Sequence, residues 1–148
     1  MKFTSFSSGN MVNGVVLKFS EPLDAMAPKQ LWRLYVFKGE RIAETLHIHR
    51  KSAYLLGKDD RIVDIVLAHE SCSKQHAVVQ FRCIETKNAA TGHIKSIIRP
   101  YIMDLGSVNK TFLNGKEIDD SRYYELREKD SLRFGASTRE YVLLIDNM

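Results

Sequence analysis

Over residues 31–145 the chain is interrupted at intervals of roughly 8–12 residues by glycine, asparagine or proline, and this punctuation constrains the fold more than any other feature. No long segment with a 3.6-residue apolar period survives between the breaks, so a helical architecture is excluded. The runs that remain, 32–37, 46–49, 53–56, 62–67, 77–83, 97–105, 122–126, 132–134 and 140–145, have strand length and are rich in β-branched and aromatic residues. Asn114-Gly115 falls between the short runs 111–113 and 116–118. That pair predicts a hairpin, because a type I′ turn needs two successive residues with positive φ. Pro100 interrupts one run and is expected at a sheet edge or a bulge. The pattern, with no internal repeat, predicts an all-β sandwich.

A chain of 148 residues, 44% hydrophobic and 27% charged, has the makings of one globular domain. At that size it buries roughly 68–70% of its unfolded surface and needs no disulfide to hold a core. Its longest apolar runs, such as 141–145, fall far short of the ~20 residues of a membrane span. Lys2 is not followed by an apolar block, so no signal peptide is expected. Cys72 and Cys83 could stay reduced or form a single bridge, and the lack of secretory features favours reduced thiols. The net charge of +4 suits an anionic partner, without choosing among nucleic acid, a phosphopeptide or an acidic peptide.

Residues 1–30 read differently from the rest. The first fourteen are rich in Ser, Asn and Gly, with Phe3 and Phe6 as isolated anchors. Val15, Val16, Leu17 and Phe19 follow, and then Pro22 and Pro28, which discourage a continuous helix. We read 1–30 as an extended arm ahead of a domain spanning 31–148. The arm either packs back through 15–19 or presents itself to a partner.

Catalytic and metal constellations are thin. His47 and His49 lie on one face if their run is a strand, but no second pair of ligands accompanies them. Cys72 and His76 have helical spacing in a region that reads as loop. Ser71-Cys72-Ser73-Lys74 contains a Ser-x-x-Lys pattern without its companion motifs and off a helix. Walker, Gly-x-Gly-x-x-Gly and Gly-x-Ser-x-Gly loops are absent. Neither catalysis, a cofactor nor a metal is expected. The aromatic residues fall inside strand runs, which suits a core better than a base-stacking platform.

The loops are more informative. Gly57-Lys58, 73–76, 104–111 and Asn114-Gly115 each close a β run, and loops at one end of a sandwich can converge. Together they offer ammonium, hydroxyl and amide groups, the donor mixture that a phosphate dianion requires. Leu56-Gly57-Lys58, Ser73-x-x-His76, Asp104-Leu105-Gly106-Ser107-x-Asn109-x-Thr111 and Asn114-Gly115 resemble, in order, the motifs of the forkhead-associated (FHA) domain. The resemblance spans Trp32 to Ile145 and implies a sandwich of about eleven strands that binds phosphothreonine peptides at one end. A narrower likeness, carried by 32–38, 48–57, 71–78, 122–126 and 14–22, is to the Smad nuclear-interacting protein and pre-mRNA leakage protein family. It implies a nuclear subunit of a spliceosomal retention-and-splicing complex, whose arm docks an RNA-recognition-motif subunit and which meets RNA only indirectly.

Carried over position by position, the family pattern makes Lys58, Ser73, Lys74, Asn109, Lys110 and Asn114 phosphopeptide-binding candidates. Gly57, His76 and Gly115 become loop supports, and Phe3, Phe6, Val15, Val16, Leu17 and Phe19 the docking arm. Three positions depart from the family. Lys58 replaces an arginine, trading a two-pronged fork for a point charge. Val108 occupies a place where some members carry a hydroxyl, and Lys110 replaces a glycine. If that site needs positive φ, Lys110 carries strain of order 1 kcal/mol. The alternative is an FHA-fold scaffold that has lost phosphate binding and works through its arm.

Overall fold

The computed structural model describes residues 11–146, so Phe3 and Phe6 lie outside the described residues. Among the described residues there are thirteen strands and no helix. The first two, β1 (Met11–Val12) and β2 (Val15–Val16), form a small hairpin in the arm. The next are β3 (Trp32–Lys38), β4 (Arg41–His47), β5 (Ala53–Gly57), β6 (Ile65–Val66), β7 (Ala77–Lys87) and β8 (Ile94–Asp104). Then come β9 (Thr111–Leu113), β10 (Lys116–Glu117), β11 (Tyr124–Glu125), β12 (Ser131–Phe134) and β13 (Glu140–Ile145). Those after the arm make a six-stranded sheet, β10-β9-β12-β13-β3-β4, and a five-stranded sheet, β11-β8-β7-β5-β6. The sandwich therefore has the expected number of strands, and the arm adds two more.

Trp32, Leu34 and Val36 alternate inward along β3 and meet Val79 and Phe81 of β7 and Ile102 of β8 across the core. β5 and the first five residues of β7 are instead largely buried on both faces, with Gln80 the one polar side chain among them. The second cover is the arm. Leu17 and Phe19, 6% and 7% exposed, pack with Leu55, Ile62, Val78 and Leu105 on the outer face of the five-stranded sheet. Burial of such side chains contributes roughly 1.5–3 kcal/mol each. Leu17 and Phe19 are thus core residues, which corrects their assignment to a docking surface. Val15 is half-buried and Val16 exposed.

Further along, Asp24 and Met26 pair with β7. The Cys83 N–H donates to the Asp24 carbonyl at 2.8 Å, and the Met26 N–H to the Phe81 carbonyl at 3.2 Å. Arg82 grips both Asp24 carboxylate oxygens at 2.9 Å and lies over the rings of Tyr101 and Tyr123. Both cysteines are free thiols.

Some boundaries differ from the sequence expectation. β4 starts at Arg41, five residues before the apolar run, because it is the edge strand of its sheet and Arg41–Glu44 are exposed on both faces. β7 and β8 extend to Lys87 and back from Ile94 as a polar hairpin with no alternation to betray it. Pro100 is buried in β8 opposite Phe81. The Phe81 N–H and carbonyl bond away from β8, to Ser52 and Met26, so the ladder asks no donor of Pro100. Its nitrogen faces the side where β11 supplies only two residues.

Candidate functional site

The loops after β5, β6 and β8 close around one concave site of about 500 Å³. Lys58, Ser73, Lys74 and Asn109 all line it. Gly57 lets the first two loops meet, since a Cβ there would lie 2.0 Å from the Lys74 carbonyl oxygen. The Lys58 N–H donates to the Ser73 carbonyl at 3.0 Å, and the His76 N–H to the Leu56 carbonyl at 2.8 Å. The lysine and serine loops are therefore one hydrogen-bonded unit.

His76 is fully buried beneath them. Its Nδ1 accepts the Ser73 N–H at 3.0 Å, and its Nε2 lies 2.9 Å from the Lys110 carbonyl. This pattern fixes a neutral ring with the proton on Nε2. Burial pushes the imidazole below its ordinary pKa, against the pull of the Lys110 carbonyl and the Asp104 carboxylate. The Lys110 carbonyl also accepts the Gly135 N–H at 2.8 Å. Lys110 itself has φ 72°, so it occupies the left-handed conformation and carries the strain expected of a non-glycine residue there.

Asp104 organises the third loop. One carboxylate oxygen takes the N–H groups of Gly106 and Ser107, and the other the hydroxyls of Ser107 and Thr111, all at 2.6–3.0 Å. That loop then delivers the Val108 N–H to Ser73 Oγ at 3.1 Å, which leaves the hydroxyl proton free to donate. Asn109 spends one side-chain N–H on the Ser71 carbonyl at 2.9 Å, leaving its oxygen and second N–H.

The site is electropositive. Lys18, Lys58 and Lys74 line it against Asp59 and Glu70. Arg61 grips both Asp59 oxygens, at 3.0 and 2.8 Å, and holds that carboxyl down to about 2. Lys58 leans over the Glu70 carbonyl at a long 3.5 Å. The arrangement suits a multiply charged anion presented by an extended chain.

Other candidates fall elsewhere. The Lys110 side chain is exposed and does not line the cavity. Asn114, φ 50°, and Gly115, φ 82°, form the hairpin turn as expected. The Asn114 amide clamps that turn to Ser131 and Asp130 at 2.9 and 3.0 Å, away from the cavity. His47 and His49 stack edge-on, and among the described residues no three metal-ligating side chains gather. Sequence reasoning missed Lys18 and Gln75. No motif marks either one, because only tertiary packing brings the arm to this rim. It also passed over the turn that precedes them, although Asn13-Gly14 carries the same signal as Asn114-Gly115, with φ 49° and 78°.

The FHA domain family model matches residues 54–135, which contain every loop just described except the arm. The chain belongs to the FHA domain family. FHA domains are non-enzymatic interaction modules, and the relatives of this one include a splicing factor. It is 56% identical over 135 residues to mouse Smad nuclear-interacting protein 1, covering 91% of this chain and 35% of that protein. It is 31% identical over 172 residues to pre-mRNA leakage protein 1 of Saccharomyces cerevisiae, covering 94% of this chain and 79% of that protein. The chain thus spans about a third of the mouse relative and most of the yeast one. Among solved structures, the yeast Pml1 splicing factor, described with its integration into the RES complex, superimposes with a TM-score of 0.73. Identity there is 27%, covering 90% of this chain and 100% of that one. The MEK1 FHA domain in complex with a phosphothreonine peptide of HOP1 matches with a TM-score of 0.58 and 25% identity, covering 82% of this chain and 100% of that one.

Proposed function

We propose that this chain reads phosphothreonine on a protein partner as a subunit of a nuclear pre-mRNA retention and splicing complex. The observation that carries the first half is the gathering of Lys58, Ser73, Lys74 and Asn109 around one positive cavity. A phosphate with about −1.5 to −2 charges near neutral pH meets the ammonium of Lys58 and the free hydroxyl proton of Ser73 there. Lys74 adds a second ammonium, and the unspent amide groups of Asn109 hold the peptide backbone next to the phosphothreonine. Support for the second half comes from the names of the relatives, a nuclear-interacting protein and a pre-mRNA leakage protein, and from the RES complex in the Pml1 description.

A charge-assisted hydrogen bond contributes roughly 1.5–3 kcal/mol. Ser73→Ala should therefore weaken binding of a phosphothreonine peptide at least about tenfold, as read by calorimetric titration. An unchanged affinity contradicts the reading and favours the scaffold alternative.

Docking of an RNA-recognition-motif subunit falls to the arm, through Phe3, Phe6, Val15 and Val16. Deleting residues 1–10 together with Val16→Asp should abolish co-purification of that subunit while leaving phosphopeptide affinity intact. Retention of the subunit contradicts this assignment.

A further inference from the structure

The cavity has a wall that lies outside the matched FHA region. Val15 and Lys18, from the arm, line it beside Lys58, Ser73 and Asn109. The placement of Lys18 is enforced by its backbone. Gln75 is 5% exposed, and its side-chain amide holds the arm from both sides. Gln75 Oε1 accepts the Lys18 N–H at 2.8 Å, and Nε2 donates to the Val16 carbonyl at 2.9 Å. Between those two bonds Leu17 is sunk into the outer core, and upstream the Asn13 side-chain amide donates to the Arg61 carbonyl. Gln75 belongs to the same 73–76 loop that presents Ser73 and is closed from below by His76. A single loop thus carries both the phosphate hydroxyl and the clamp on the arm. The Lys18 side chain is exposed, and its ammonium makes no ion pair among the described residues.

We propose that Lys18 is a third cationic ligand for the bound phosphopeptide, and that Gln75 is the residue that positions it. This rests on the phosphopeptide reading above and extends the site beyond the FHA loops into the arm. It makes attachment of the arm and capture of the phosphate mutually supportive. Whatever lifts residues 15–18 off the domain weakens phosphopeptide binding, and a bound phosphopeptide holds those residues down to the same extent.

The test is a calorimetric titration of one phosphothreonine peptide into the full chain at low salt, with the variants Lys18→Ala, Lys18→Arg, Gln75→Ala and Ser73→Ala. Lys95→Ala, on the far hairpin, is the control. Lys18→Ala should weaken binding about two- to fivefold, the range for a solvent-exposed charge contact, and Lys18→Arg should restore it. Gln75→Ala should weaken binding as much, and adding Lys18→Ala to it should cost little more, because the two changes remove one interaction. Lys95→Ala should match the wild type. If Gln75→Ala melts early, the surface substitution Lys18→Ala decides alone. Full affinity in Lys18→Ala alongside lost affinity in Ser73→Ala overturns this inference and leaves the phosphopeptide reading standing. No binding by the wild type overturns both.

Discussion

His76 shows how one side chain sets the chemistry of the site without facing it. Buried and neutral, it accepts from the Ser73 backbone and donates to the Lys110 carbonyl, so it ties the loop between β6 and β7 to the loop that crosses from β8 to β9 in the other sheet. An imidazole ordinarily titrates near 6.5, and burial lowers this one. Below about pH 6.5 the unfolded chain binds a proton that the folded chain refuses. Stability is therefore full above that pH and falls as the pH drops. The unfolding free energy from urea denaturation should be lower at pH 5.5 than at pH 7.5, and a His76→Gln variant should lose most of that difference. Equal slopes in the two proteins contradict the assignment. Asp24 acts in a separate window, since Arg82 depresses its carboxyl and its contribution fades only below about pH 4. The positions of Gly57, Ser73, His76 and Asn109 were legible in the sequence, because each is tied to a motif with a local geometric demand. Lys110 was legible as a strained backbone but not as a residue pointing away from the cavity. The direction of a side chain from a loop is set by what packs around it, and its neighbours in sequence do not encode that.

At the level of elements, the arm departs most from what sequence alone conveys. Its apolar residues read equally well as a peptide for a partner or as a cover for this domain, since both uses require the same amphipathic pattern. The apolar runs 53–56 of β5 and 77–79 of β7 held the missing information: a strand segment with no polar face needs a second cover. Phe19→Ala should cost about 3 kcal/mol in chemical denaturation, with a single cooperative transition retained. A loss below about 0.5 kcal/mol means the arm is a separate element and its burial contributes nothing to the fold. Edge strand β4 and the outer half of the β7–β8 hairpin were illegible for the opposite reason. They bury little, so no alternation is imposed on them.

Across the whole molecule, the two sheets carry the proposed phosphopeptide site at one end. The modest net charge of +4 says little about specificity, because carboxylates are interspersed over the surface. Discrimination comes from local arrangement: three lysines at one cavity, with its nearest aspartate neutralised by Arg61. Such a site is screened by salt, so phosphopeptide affinity should fall as ionic strength rises. The central claim is that a phosphate dianion sits among Lys58, Ser73 and Asn109. The most direct measurement is amide chemical-shift mapping during titration with a phosphothreonine peptide and with its unphosphorylated twin. The phosphorylated peptide should shift the amides of Lys58, Ser73, Lys74, Val108 and Asn109 and spare the tip of the β7–β8 hairpin, while the unphosphorylated peptide shifts none of them. Equal responses to the two peptides, or shifts confined to another face, would contradict the account.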